Sequence, residues 1–188
     1  MDWLQITILA LIQGLTEFLP VSSSAHLILA PYFFSYEDQG LAFDIAVHVG
    51  TLGAVMLYFK QEVWSISKSL VLFGDSSLEK DRRLGLNVIV ATLPVIVVGL
   101  TFKDLVSTEL RSPLVIATTT IVFGILLLIA DKKAKRQKGE DSITWRGALI
   151  IGCFQAIAII PGTSRSGITM TAGLFLGLTR SAASRFSF

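Results

Sequence analysis

The predicted fold class is an all-α integral membrane protein. It is a polytopic helical bundle with two inverted-topology repeats, each containing a re-entrant helix hairpin. Three observations lead there. The 188 residues are 52% apolar and only 16% charged, against about 25% charged in a soluble domain, and the mean hydropathy is +0.67. Three long apolar stretches carry few or no charges. Two further apolar stretches are broken midway by proline and a run of hydroxyl residues.

The same composition excludes other classes. A net charge of +2, scattered along the chain, does not suit a nucleic-acid binder. The single cysteine, Cys153, allows neither a disulfide framework nor a cysteine metal site. Such hydrophobicity is incompatible with disorder.

Taken in order, residues 3–34 form the first hairpin. Residues 3–19 are apolar but carry Glu17, meet Pro20 and three serines, and resume at 25–34. Each half is short for a span of roughly 20 residues, as expected of broken or re-entrant helices. A signal peptide is a poor reading of this stretch, which lacks a basic n-region and is interrupted by Glu17. Residues 41–59 form a span that contains Asp44 and His48, read as packing or supporting groups. The segment 60–83, with Lys60, Lys68, Lys80, Arg82 and Arg83, is expected in the cytoplasm. Spans at 84–102 and 112–130 follow, the first expected to kink at Pro94. Thr118, Thr119 and Thr120 of the second are expected to bond their own backbone. The stretch between them, 103–111, holds only the cations Lys103 and Arg111 and is placed outside, as is 35–40 with Glu37 and Asp38. The loop 131–141 carries five Lys/Arg residues and is cytoplasmic, its basic run a topology signal.

Residues 145–178 repeat the first hairpin, breaking at Pro161-Gly162 and resuming at 168–178, with Arg180 and Arg185 at the exit. Trp3 and Trp145, Gln13 and Gln155, and Pro20 and Pro161 recur at nearly one offset. On the charge map the hairpins enter from opposite faces, the first from outside with the N-terminus, the second from the cytoplasm. The whole of 1–188 is a single membrane domain, with a first repeat over 1–130 and an incomplete second repeat over 142–188. An apolar segment opens at 184–188 without a closing charge, so a chain truncated before its C-terminal spans is expected.

Ionisable groups inside a membrane are costly and point to function, and here they gather at the two breaks. Gln13 and Glu17, four apart, share a helix face. They offer oxygens to a divalent cation (Mg²⁺ or Ca²⁺) or a carboxylate to position a hydroxyl or water. Past Pro20, Ser23 and His26 are three apart and within reach of one another as a nucleophile and base. A structural pairing of Glu17 with Arg165 and an interfacial His26 are the plainer alternatives, and backbone bonding is the plainer one for Ser22 and Ser24. At the second break, Gly162 allows close backbone approach. Thr163, Ser164, Ser166 and Thr169 supply hydroxyls near a helix N-terminus, which favours anions. Arg165 adds a guanidinium fork suited to phosphate.

With these residues in place, the chain resembles the undecaprenyl-diphosphate phosphatase family, the bacitracin-resistance proteins of bacterial membranes. Gln13…Glu17-Phe-Leu-Pro-Val-Ser-Ser…His26 is similar to its first motif, where several members carry Glu at the position of Gln13. Pro161-Gly-Thr-Ser-Arg-Ser-Gly matches its second, and Phe43-Asp44-Ile-Ala-Val-His48-Val-Gly-Thr-Leu resembles a further family segment. The resemblance runs over the whole chain. It implies hydrolysis of undecaprenyl diphosphate to the monophosphate and phosphate, which recycles the carrier lipid of peptidoglycan synthesis and confers bacitracin resistance. It implies a multi-pass protein of the bacterial inner membrane with its site facing the periplasm. The expected partners are the lipid substrate, the bilayer and a second copy of the chain in a homodimer. The expected catalytic set is Glu17, Ser23, His26 and Arg165, with the nucleophile open among Ser23, His26 and water. A secondary transporter or lipid flippase also fits inverted repeats with broken helices. An intramembrane serine protease is a more distant rival.

Overall fold

The computed structural model describes residues 1–72, 75–102, 105–106 and 109–188. Lys103, expected in an outer loop, lies outside the described residues. Among the described residues the regular structure is helical, apart from one isolated bridge between Lys138 and Leu178. The helices are α1 (Trp3–Thr16), α2 (Ser23–Phe34), α3 (Gly40–Tyr58), α4 (Lys60–Val71), α5 (Glu79–Thr101), α6 (Pro113–Lys133), α7 (Trp145–Ile157), α8 (Arg165–Phe175) and α9 (Arg180–Ser187). Three helical stretches, Gly40–Tyr58, Ser76–Thr101 and Pro113–Lys133, are long and apolar enough to cross a membrane. They correspond to the three expected spans. The second begins earlier than its charge-free core, with Glu79 and Asp81 in the first turn of α5, where acidic groups suit the helix dipole. That helix runs on through Pro94.

Both expected breaks are present, and both are wider on the upstream side than the sequence reading placed them. α1 ends at Thr16 and α7 at Ile157. The downstream helices start early because a serine caps each. Ser22 accepts from the Ala25 amide at 3.2 Å, and Ser164 accepts from the Gly167 amide at 3.2 Å. Each such cap is worth about 1 kcal/mol.

Packing centres on the second hairpin. Its core joins Ala148 and Ile151 of α7, Ala172 and Leu174 of α8 and Ala182 and Ala183 of α9 with Ala91 of α5 and Ala130 of α6. Gly152 of α7 lies so close to the Ala91 backbone that a Cβ there would overlap it. The first hairpin has a smaller core, Leu9, Leu27 and Ala30 against Phe43 and Val47 of α3. Ala25 and Ile28 of α2 then pack on Ile116 of α6, and this contact brings the two breaks toward one another.

The charges sort to the two ends of α6, which at 21 residues is about 31 Å long. In its last turn Asp131 meets Arg180 at 2.6 Å, and beyond its C-terminus Arg185 meets Glu140 at 3.1 Å. Before its N-terminus, Arg111 meets Asp44 at 3.2 Å and Asp38 at 3.5 Å. The basic loop and the exit of the second hairpin therefore share one end, and 35–40 and Arg111 share the other.

Candidate active site

The break between α1 and α2 touches the break between α7 and α8. Ser166 Oγ donates to the Leu19 carbonyl at 3.3 Å, and Arg165 Nη2 donates to Glu17 Oε1 at 3.1 Å. Residues 148 positions apart in sequence thus form one cluster, lining a cavity of about 570 Å³ together with α3 and the approach to α6.

Glu17 is the hub. Its Oε1 takes the Arg165 guanidinium, while Oε2 accepts from Ser23 Oγ at 2.5 Å and from Gln13 Nε2 at 3.1 Å. The Glu17 side chain is 14% exposed, so this carboxylate is largely withdrawn from solvent yet fully partnered. Buried charges require such pairing. The carboxylate that pairs with Arg165 thus also holds a serine hydroxyl at the cavity wall.

The partner of Ser23 differs from the expected one. Its hydroxyl goes to Glu17, not to His26. In a helix the Cα–Cβ bond tilts toward the N-terminus, so Ser23, in the first turn of α2, reaches back across the break. The same tilt carries His26 onto the preceding turn, where Nδ1 donates to the Ser22 carbonyl at 2.7 Å. His26 is exposed and does not line the cavity. Ser22 caps α2, and its hydroxyl is 3.0 Å from that of Ser24.

The histidine beside Glu17 is His48. Its Nδ1 donates to the Asp44 carbonyl at 2.6 Å, and its Nε2 stands 3.7 Å from Glu17 Oε2. The sequence reading gave Asp44 and His48 only supporting roles. An ionisable pair four residues apart within a span was the signal available for more.

At the second break, the backbone is held from α6. Thr119 Oγ1 lies 2.7 Å from the Pro161 carbonyl, and Thr120 Oγ1 donates to the Gly162 carbonyl at 3.1 Å. The expectation that these threonines serve their own backbone holds for Thr118, which donates to Leu114 O at 2.8 Å. It fails for Thr120 and is incomplete for Thr119, because a break leaves carbonyls that the neighbouring span can satisfy. Gly162 has φ +91°, and a Cβ there would collide with Thr119 and with the Ile116 carbonyl. The missing side chain lets the loop lie against α6, and Gly162, expected to approach phosphate, does not line the cavity.

Thr163, Ser164, Arg165 and Ser166 do line it. Thr163 is buried, and its hydroxyl has no partner among the described residues. Thr169, also expected to bind phosphate, points elsewhere: its hydroxyl lies 2.9 Å from that of Ser187 and 2.9 Å from the Arg165 carbonyl. It sits one turn down the helix, behind the loop.

Gln13 is fully buried, its Nε2 on Glu17 and 3.4 Å from Thr51 Oγ1, its Oε1 without a partner among the described residues. Among the described residues no three His, Cys, Asp or Glu side chains gather as a metal site. At the first break, Gln13 Oε1 and Glu17 are the side-chain oxygens expected from the sequence to hold a cation. Such a set fits Mg²⁺, which takes few protein ligands and completes its shell with water and phosphate, better than Ca²⁺.

The cavity accordingly carries a serine hydroxyl on a carboxylate, a guanidinium, and a hydroxyl-rich helix N-terminus. This arrangement can bind a phosphoryl group and deliver an oxygen nucleophile to it. Comparison with known proteins agrees. The family model described as bacitracin resistance protein BacA matches residues 6–188. An undecaprenyl-diphosphatase of Marinobacter nauticus is 54% identical over 189 residues, covering all of this chain and 71% of its own length. Undecaprenyl-diphosphatase 2 of Stutzerimonas stutzeri is 54% identical over 192 residues, with the same coverage. Undecaprenyl-diphosphatase 1 of Pseudoalteromonas translucida is 56% identical over 189 residues, again covering 71% of its length.

Proposed function

The chain belongs to the bacitracin resistance protein BacA family, and from that membership we infer that it is an undecaprenyl-diphosphatase. It is a membrane hydrolase that converts undecaprenyl diphosphate and water into undecaprenyl phosphate and inorganic phosphate. The observation carrying the mechanism is the short contact between Ser23 Oγ and Glu17 Oε2, with Arg165 on the other carboxylate oxygen.

Ser23 attacks the terminal phosphorus, and its proton passes to Glu17 Oε2, which already accepts it in a hydrogen bond. The bridging P–O bond breaks and its electron pair leaves with undecaprenyl phosphate. Water then attacks the phosphoserine phosphorus, the Oγ–P bond breaks, Glu17 returns its proton to Ser23 Oγ, and the water's oxygen and protons leave with the phosphate. Arg165 and the hydroxyls of Thr163, Ser164 and Ser166 stabilise charge on the transferring group. Gln13 orients Glu17 through Nε2. A bound Mg²⁺, held by Gln13 Oε1 and Glu17, would supply charge neutralisation at the phosphates. His26, on the exposed face of α2, stands at the edge of the site, where it can meet substrate entering from the bilayer.

The two hairpins are re-entrant and enter from opposite faces as halves of an inverted repeat. The charge distribution at the two ends of α6 supports this reading, as does the serine cap that restarts each hairpin. With Arg111 and 35–40 outside, the cavity opens toward the periplasmic side of the inner membrane, where the diphosphate is presented while the lipid tail stays in the bilayer. A homodimer is compatible with the exposed apolar face of the first hairpin.

The deciding experiment is phosphate release from undecaprenyl diphosphate by the purified protein in detergent, followed by rapid quench. Wild type releases phosphate and passes through a phosphoenzyme that Ser23→Ala lacks. A phosphoenzyme persisting in Ser23→Ala would move the nucleophile to another residue. Lipid movement across vesicles with no phosphate release would replace the hydrolase with a transporter.

A further inference from the structure

We propose that Gly99 of α5 keeps open the flank of the cavity through which the prenyl chain of the substrate passes into the bilayer. The inference rests on the undecaprenyl-diphosphatase reading and deepens it, by naming a residue that governs recognition of the lipid. A cavity of about 570 Å³ suits a drug-sized ligand, so the long undecaprenyl chain has to run out of it. The lining is sorted by chemistry. Glu17, Ser23 and the loop around Arg165 form one region, and Arg111 and Asp44 pair with each other in another. Much of the remaining lining is apolar: Ile45, Val49 and Leu52 of α3, and Gly99 of α5 with Ile159 beside it.

Ile45, Val49 and Leu52 are spaced as one stripe of a helix. Each is more than half exposed and lines the cavity at the same time. Both α3 and α5 lie in stretches long and apolar enough to cross a membrane, so a flank between them opens on hydrocarbon. The two helices are also held by different neighbours, α3 mainly by α1 and α4, and α5 mainly by α7 and α4. The gap between them is therefore bounded by both helices without being filled by their packing.

Among the described residues, Gly99 is the one glycine that lines the cavity, and packing does not demand it. A Cβ there would meet only Ile159 Cδ1, at an ordinary 3.6 Å, whereas one at Gly152 would overlap the Ala91 backbone. Glycine inside a helix is less stable than alanine, so an interior glycine with room for a side chain calls for another reason. Close approach of a ligand to the backbone is such a reason. Gly14 has open space as well but does not line the cavity. A larger side chain at 99 would stand beside Ile159, itself a lining residue, and narrow the passage away from the phosphate loop.

The test compares chain lengths. Phosphate release is measured from undecaprenyl diphosphate and from isopentenyl diphosphate, which carries a single isoprene unit, for wild type, Gly99→Ala and Gly99→Leu. Gly99→Leu should raise KM for undecaprenyl diphosphate about ten-fold or more, lower kcat by less, and shift KM for isopentenyl diphosphate by less. Gly99→Ala should give the smaller rise in KM and a raised thermal midpoint. Leu52→Trp, which narrows the gap from α3, should give the same split between substrates and serves if Gly99→Leu does not fold. Equal losses on both diphosphates, an unchanged KM for the long one, or a lowered thermal midpoint in Gly99→Ala would overturn the passage. If wild type releases no phosphate from either, the hydrolase reading fails. Undecaprenyl phosphate bearing a photoreactive diazirine on its first isoprene unit then decides the role of Gly99. Label on α3 or α5 at this flank, lost in Gly99→Leu, keeps the passage, and label only elsewhere removes it.

Discussion

The two hairpins follow one plan and are built to different tolerances. Both run helix, break, serine cap, helix. Helix α8 of the second buries eight of its eleven residues, whereas α1 of the first buries three of fourteen, Gln5, Leu9 and Gln13. Glycines account for much of the contrast. Gly152, Gly162 and Gly173 each sit where a Cβ would press on a neighbouring helix, but Gly14 of α1 has open space around it. The second hairpin is thus clasped by α5, α6 and α9 and presents a fixed anion loop. The first leaves Leu11 and Leu15 outward, with buried Gln13 and Ser23 directed to Glu17. In the proposed mechanism one hairpin holds the phosphate and the other supplies the reactive carboxylate and hydroxyl.

The largest predicted effect falls on the clasped hairpin's chemistry. Arg165→Lys keeps the charge but loses the fork, and kcat should fall about 10²–10³-fold with normal membrane insertion. Near-wild-type turnover would remove Arg165 from the phosphate site. Next comes the clasp itself. Gly162→Ala forces a side chain into a left-handed backbone against Thr119 and Ile116, costing roughly 2–4 kcal/mol, visible as a lowered thermal midpoint in detergent. Thr169→Val removes the bond to Ser187 and should cost about 1 kcal/mol with kcat little altered, because Thr169 faces away from the cavity. A large loss of phosphate affinity in that variant would return Thr169 to the binding set. Smallest is Gly14→Ala in the looser hairpin, expected to stabilise by up to about 1 kcal/mol. A destabilisation there as large as that of Gly162→Ala would erase the contrast.

Sequence reading located the spans and both breaks because their signals are local: charge-free length, proline, and hydroxyl clusters. Glu17 and Arg165 were legible for a related reason, as ionisable groups in apolar surroundings. The pairing of Ser23 was not. Spacing suggested His26, but the backward tilt of side chains in the first turn of α2 directs Ser23 to Glu17. His48 and Arg111 were visible as residues but not as parts of the site. Their placement depends on α3 packing beside the first hairpin and on the Asp44 contact across 67 positions, which no periodicity encodes. Likewise, the hydroxyls of Thr119 and Thr120 serve carbonyls 42 positions away. What the sequence hides here is which helix lies beside which break.

The central claim is that Glu17 from one hairpin and Arg165 from the other act as one unit. A double-mutant cycle on kcat/KM for undecaprenyl diphosphate, with Glu17→Gln, Arg165→Lys and the double variant, tests this directly. Groups acting together are strongly non-additive, so the double variant should lose little more than the worse single. Losses that multiply, as for two independent sites, would contradict the account.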